Sequence, residues 1–397
     1  MKKILWIMAL LLLAAPLPAA RGEGFDDYLI KTGEPIAVCA LSAHDAIVRC
    51  WPERRADLDT EPWHLLWLRD GKEYRHLSYY VKGATQELDR LSFLVREDGS
   101  FRVLLPRKTG VRQEATGPET GRETDVYRTF LYDWTDKGLE NPVPLPEGWA
   151  YTVCSPFLAA TRRTETDEME LMLYTADGKP LFICVLPGTQ GGGTVDVWGF
   201  RENGWLIHFC SATRGLKARD LVFCVQDWAL RWQVQPEEKP GFYFPDGRGG
   251  FFVVEGNTAG DYTPLTVTHY GGDGCRDQRS MLKEDRLVTQ IQGATYDAQR
   301  DRTILYGYAV ANSRQVYTAF ALTLDAEQSA VSLEMRDVPD RYRDYSPRCY
   351  LAPDGAAWVY IWGVGLENPS AYPPALVPFQ TLPLHSSDSL AWEHSAK

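Results

Sequence analysis

Val195-Asp196-Val197-Trp198-Gly199-Phe200 is closed by Asn203-Gly204 and followed at once by Trp205-Leu206-Ile207-His208-Phe209-Cys210. The first run mixes β-branched and aromatic residues in near alternation with polar ones, the pattern of a half-buried strand. Asn-Gly is a strong hairpin signal, because both residues tolerate the positive φ that a tight antiparallel turn needs. A longer connection then leads to Leu221-Val222-Phe223-Cys224-Val225, and Asp227 turns the chain into Arg231-Trp232-Gln233-Val234. The stretch reads as four antiparallel strands in sequence order. Tight turns follow the first and third, and a long loop follows the second.

The unit recurs along the chain. Turns of the first kind fall at His44-Asp45, Asp98-Gly99, Asn203-Gly204, Asp246-Gly247, Asp297 to Asp301 and Asp354-Gly355. Turns of the second kind fall at Asp70-Gly71, Asp136 to Gly138, Asp177-Gly178, Asp227, Asp273-Gly274 and Asp325-Ala326. The two series interleave, each with a spacing of roughly 45 to 65 residues, as four short strands per repeat require. Repeats so counted begin near residues 36, 90, 148, 194, 241, 287 and 346. The third has no clear turn between its first two strands and the last ends in a Pro-rich stretch, so a count of six stays open. A lone four-stranded sheet leaves one face and two edges unprotected. Radial packing of such sheets covers both faces, and the chain is therefore predicted to be all-β: a β-propeller of seven four-stranded blades. Two packed sandwiches are the competing architecture, with a less regular strand spacing.

On these turns and strands the chain resembles the seven-bladed β-propeller superfamily over nearly all of residues 36–397. The Gly-His…Trp-Asp signature of WD40 blades is absent. So is the sialidase Asp-box, which Glu97-Asp98-Gly99-Ser100-Phe101 and Asp354-Gly355-Ala356-Ala357-Trp358 touch only in part. The resemblance implies a fold that carries hydrolases, lyases and pure binding modules alike, so function has to come from the site.

The N-terminus predicts export. Lys2 and Lys3 precede the uncharged run Ile4 to Ala15, and Leu17-Pro18-Ala19-Ala20-Arg21-Gly22 supplies a helix breaker and small residues for cleavage. Residues 1–22 are read as a signal peptide, 23–35 as a linker and 36–397 as one propeller domain acting outside the cytoplasm. The apolar run is short for a membrane span. A formal net charge of −11 argues against a nucleic-acid partner.

Eight cysteines in an exported chain invite pairing. A two-residue turn at His44-Asp45 would set Cys39 opposite Cys50, and Cys210 and Cys224 bracket a Gly215-containing loop in a similar way. The alternative is buried thiols, which Phe182-Ile183-Cys184-Val185 and Phe223-Cys224-Val225 suggest. No C-x-x-C pair, nucleophile elbow, zinc helix, Walker loop or dinucleotide fingerprint occurs, so the sequence points to no metal and no cofactor. Gly191-Gly192-Gly193 reads as a connection.

Functional residues favour long loops on a rigid scaffold. The loops between second and third strands are predicted to carry Arg54 and Arg55; Arg107, Lys108 and Arg112; Arg162 and Arg163; Arg214, Lys217 and Arg219; and Arg314. Trp51, Trp149, Trp198 and Trp362 are expected near the same rim, where indoles could stack on sugar faces. Arg54, Arg55, Arg107, Arg162, Arg163, Arg214, Trp198 and Trp362 are the candidate ligand set. They suit an extracellular binding module for an anionic glycan or envelope component, since a guanidinium bonds a carboxylate in two parallel contacts. Acids in the same loops, among them Glu53, Asp167 and Asp220, could instead neutralise the rim. A glycan-active hydrolase or lyase at the central opening is the alternative, with Asp196 and His208 as nominated neighbours, and a protein-binding scaffold is a third reading.

Overall fold

A computed structural model describes residues 28–394 apart from 33, 52–62, 80–90, 97, 115–121, 136, 201–202, 212–219, 237–241, 256–264, 284–286, 298–299, 312–315, 325–329, 343–346, 362–372 and 386–392. Seven antiparallel sheets follow one another along the chain. Blade one is β1 (Glu34–Ala40), β2 (Asp45–Trp51), β3 (Trp63–Arg69) and β4 (Lys72–Tyr79). Blade two is β5 (Ser92–Val95), β6 (Phe101–Glu114), β7 (Arg122–Thr135) and β8 (Gly138–Pro144). Blade three is β9 (Ala150–Cys154), β10 (Phe157–Arg163), β11 (Met169–Thr175) and β12 (Pro180–Leu186). Blade four is β13 (Gly193–Gly199), β14 (Gly204–Ser211), β15 (Asp220–Gln226) and β16 (Ala229–Val234). Blade five is β17 (Phe242–Pro245), β18 (Phe251–Glu255), β19 (Leu265–Tyr270) and β20 (Arg276–Lys283). Blade six is β21 (Leu287–Asp297), β22 (Arg302–Ala311), β23 (Val316–Leu324) and β24 (Ala330–Asp337). Blade seven is β25 (Arg348–Leu351), β26 (Ala357–Ile361) and β27 (Ala375–Pro378). The short β28 (Glu393–His394) pairs with the outer edge of β20.

The protein is a seven-bladed β-propeller, and the burial pattern explains why. Each apolar cluster lies between consecutive sheets, because alternate residues of a strand point to opposite faces. On β2, Ile47 packs toward blade two with Leu65, Val103 and Leu105, while Ala46, Val48 and Cys50 pack toward blade seven with Trp358, Tyr360 and Leu376. Further clusters join blades two and three, three and four, four and five, and five and six. Tyr306, Ala319 and Ala321 of blade six share a cluster with blade seven, so each sheet packs on two neighbours, which separates a ring from two sandwiches.

The third blade makes its first turn at Ser155-Pro156, whose peptide is cis, between β9 and β10. That turn lacks the Asp-Gly or Asn-Gly signature, which is why it was not visible in the sequence.

The ring is closed by the N-terminal segment. Leu29 bridges to Ala375 and the Ile30 N–H donates to the Pro374 carbonyl at 2.8 Å, so this segment runs along the outer edge of blade seven. Tyr28 and Ile30 are buried, although they fall in the stretch read as a linker. Tyr28 lies over the blade-one turn: a Cβ on Gly71, held at φ +77°, would come within 2.4 Å of its ring. Blade seven is also tied to blade one at the turns, where the Trp358 indole N–H donates to the Ser42 carbonyl at 2.7 Å and the Ala43 N–H donates to Asp354 at 2.9 Å.

The expected Cys39–Cys50 bridge is not formed. Leu41 and Ser42 both donate backbone N–H groups to the Asp45 carbonyl, so the turn is longer than two residues. The register is Cys39 against Ile47 and Cys50 against Pro35. The two thiols therefore sit on opposite faces, Cys39 with the blade-two cluster and Cys50 with the blade-seven cluster. Cys210 and Cys224 are not joined either. Cys224 faces Leu206 across the ladder, four residues from Cys210, or about 13 Å along a strand, beyond the Cα separation a disulfide allows. All eight cysteines carry thiols.

Candidate functional site

A cleft between blades one and two encloses about 370 Å³ and opens on the tight-turn end of the propeller. Its position follows from the strand order. In each blade the turns after the first and third strands lie at one end, so residues beside those turns in neighbouring blades meet. Trp67 and Arg69 close β3, Arg75 follows the turn into β4, Asp98 to Phe101 form the first turn of blade two, and Trp134 ends β7.

Three aromatic rings form the floor. Trp67 meets Phe101 edge-on at 5.2 Å and Trp134 at 6.1 Å, while Phe101 and Trp134 are 6.1 Å apart. Two guanidinium groups stand over the aromatic wall. Arg69 lies 4.1 Å from the Tyr74 ring centre, and Arg75 lies 5.3 Å from that of Trp67, within cation–π range. Asp45 orients this set, accepting the Trp67 indole N–H at 2.8 Å and Arg69 Nε at 2.9 Å. Across the cleft, Asp98 accepts the Ser100 hydroxyl at 2.6 Å and the Ser100 backbone N–H at 2.9 Å. These bonds hold its carboxyl below the usual carboxylate range. The cleft thus combines apolar ring faces, cationic donors and ionised acceptors.

Asp196 and His208, nominated from the sequence, are brought together. They face each other across β13 and β14, with His208 Nδ1 3.4 Å from Asp196 Oδ2. Asp220, read only as a rim acid, takes the other ring nitrogen: Nε2 is 3.0 Å from its Oδ1. The imidazole is stacked between Trp198 of its own blade and Tyr243 of blade five. Burial opposes the charged ring, but the hydrogen bonds and charges of Asp196 and Asp220 outweigh it and raise the His208 pKa. Both ring nitrogens are engaged by carboxylates, an arrangement that holds an imidazolium in place and leaves it poorly suited to act as a base.

The rim arginines are placed differently from the expectation. Arg54, Arg55, Arg214 and Trp362 lie outside the described residues. Arg107 is within β6, opposite Arg128, because the β6–β7 hairpin continues well past the expected loop; its guanidinium is 5.0 Å from the Tyr132 ring centre. Arg162 and Arg163 end β10 and are committed within blade three. Arg162 pairs with Glu170 at 2.5 Å and stacks on Trp149 at 4.3 Å. Arg163 pairs with Asp167 at 3.0 Å and donates to the Gly191 carbonyl at 2.9 Å. Trp198 stands opposite Leu206, beside the Asn203-Gly204 turn. It is therefore at the tight-turn end, partly buried against the blade-five cluster.

The cleft residues were missed because they come from five strands and two turns spread over residues 42–134. One signal was present: aromatic and basic residues beside successive tight turns, as in Trp67-Leu68-Arg69-Asp70-Gly71 and Trp134 before Gly138.

No protein-family model matches the chain, and no curated protein matches it in sequence. Among solved structures, it is similar to the β-propeller domain of the Trilobed protease from Pyrococcus furiosus, at 7% identity and TM-score 0.47, over 88% of this chain and 96% of that one. It is also similar to a protein of unknown function from Dyadobacter fermentans, at 14% identity and TM-score 0.43, again over 88% and 96% of the two chains. The Dos1 propeller is a further neighbour, at 8% identity and TM-score 0.39, over 88% and 93%. Identities this low bear on fold alone.

Proposed function

We propose that this propeller is an extracytoplasmic binding module that takes an anionic glycan in the cleft between blades one and two. The observation that carries the reading is the meeting of Arg69 and Arg75 with Trp67, Phe101 and Trp134 around one opening. Sugars are bound by stacking their C–H faces on aromatic rings and by offering hydroxyls to ionised acceptors, roles open to these rings and to Asp98. A uronate carboxylate adds the partner that guanidinium groups favour. A volume of about 370 Å³ is at the small end of the range for ligand pockets and suits one or two rings of a longer chain.

Two further features bear on the reading. Arg162 and Arg163 are paired with Glu170, Asp167 and Gly191, as Arg69 is with Asp45 and Arg75 with the Trp134 carbonyl; what favours the cleft is that its two guanidinium groups meet three aromatic rings at one opening. His208 is clamped by two carboxylates, which disfavours a hydrolase built on it. Among the described residues no helix is long and apolar enough to cross a membrane. Export rests on the Lys2-Lys3 and Ile4–Ala15 pattern. Screening neutral against uronate-bearing oligosaccharides tests the proposal. Preference for the acidic set, weakening with salt as screened charges must, supports it; equal or absent binding to both sets removes it.

A further inference from the structure

Among the described residues, the outer edges of the blades are protected by different devices, with one exception. On β27 the edge pairs with Leu29. Arg336 of β24 pairs with Leu384, and the flanking Asp337 and Met335 bond Pro383 and His385. On β20 the edge pairs with β28. The β4 edge carries Lys72, Glu73 and Arg75, the β8 edge carries Glu140, Pro142 and Pro144, and β16 carries Arg231. Charges, prolines and covering segments are the usual means of preventing edge-to-edge pairing. β12, Pro180-Leu181-Phe182-Ile183-Cys184-Val185-Leu186, has no charge and a proline only at its first position. Ile183 is 50% exposed and Val185 44%. Trp228, 53% exposed, stands beside Phe182 with their rings 6.3 Å apart.

We infer that β12 is a dimerisation edge that pairs antiparallel with β12 of a second copy, joining two third blades into one eight-stranded sheet. The sequence of the strand favours a copy of itself. With the two-fold axis at Ile183, Phe182 meets Cys184 and Ile183 meets Ile183, while Val185 comes beside the bulge at Leu181. Every facing pair is apolar and no like charges oppose, as a self-complementary interface requires.

The flanks are complementary as well. Lys179 of one copy would face Pro187-Gly188 of the other. There the Glu168 carboxylate is held by the Gly188 N–H at 3.2 Å and the Gln190 side chain at 3.2 Å. Both ends of the pairing therefore bring a lysine toward a carboxylate. The inference is independent of the cleft ligand, since β12 lies on another blade.

Sedimentation velocity of the purified protein tests it, with Ile183→Lys and Val185→Lys compared against Val143→Lys, a lysine on the β8 edge. The expected result is a dimer for the unaltered chain and for Val143→Lys, and a monomer with unchanged circular dichroism for Ile183→Lys and Val185→Lys. Lys179→Glu should shift the dimer toward monomer without unfolding. A monomeric unaltered chain overturns the inference. So does a dimer that survives both β12 substitutions.

Discussion

The ring of Tyr243, on the innermost strand of blade five, lies 4.0 Å from the His208 imidazole of blade four and within 19° of parallel. Asp196 and Asp220 flank the same imidazole, so a ring whose charged form they favour is held at the seam between two blades. The seam is otherwise apolar, built from Leu206, Val222, Phe251 and Val253. A titratable ring between two carboxylates inside it couples blade packing to protonation.

Stability should therefore depend on pH through His208. Its folded pKa is raised above the ordinary 6.5, so the stabilisation is fully present below pH 6.5 and lost as pH rises through the raised folded value. Thermal melts across this range should slope downward toward high pH, and His208→Phe should flatten that component. Asp220→Asn should cost about 1–3 kcal/mol, the usual effect of leaving a buried polar partner poorly matched. Identical pH profiles for the His208 variant and the unaltered chain would contradict the assignment.

Closure by the N-terminal segment predicts a second effect. Tyr28→Ala removes a ring packed over Gly71 and should destabilise by about 3 kcal/mol, at the low end for an aromatic truncated in a core. Chemical denaturation measures it. A loss confined to a few tenths would mean that Tyr28 is not part of the closing contact.

Thiol chemistry gives the third. Burial pushes Cys39, Cys50, Cys154, Cys184 and Cys349 up to about 12, which leaves little thiolate near neutral pH. Cys275 is exposed and should be alkylated first in native protein. After denaturation without reductant, all eight cysteines should be modified. Recovery of a Cys39–Cys50 peptide would contradict the observed register.

The architecture was legible because turn chemistry is local. Asp-Gly and Asn-Gly placed most hairpins, and the expected blade starts fall within two residues of β1, β5, β9, β13, β17, β21 and β25. Pairing register was less legible. Ser42 and Asp45 lengthen the first turn through backbone and side-chain bonds, and a bulge falls between Pro35 and Ala37. The longer turn sets Cys39 against Ile47, three residues from Cys50 along β2, which puts the two thiols on opposite faces. The site was least legible, since Asp45, Trp67, Asp98 and Trp134 become neighbours only when blades one and two pack. Arg107, Arg162 and Arg163 were placed in loops because strand ends there carry charge instead of a turn signal. His208 was nominated with Asp196, but its second carboxylate, Asp220, required the β14–β15 register.

Binding of an oligouronate by isothermal titration, comparing Arg75→Ala with the Arg162→Ala/Arg163→Ala double variant, tests the central claim most directly. Loss of one cleft guanidinium should weaken binding tenfold or more, about 1.4 kcal/mol, with the melting temperature little changed because Arg75 is on an outer strand. The double variant should bind as the unaltered chain does, since those arginines end β10 of blade three and do not line the cleft. Unchanged affinity in Arg75→Ala together with loss in the double variant would place the ligand on the loop rim and contradict the cleft.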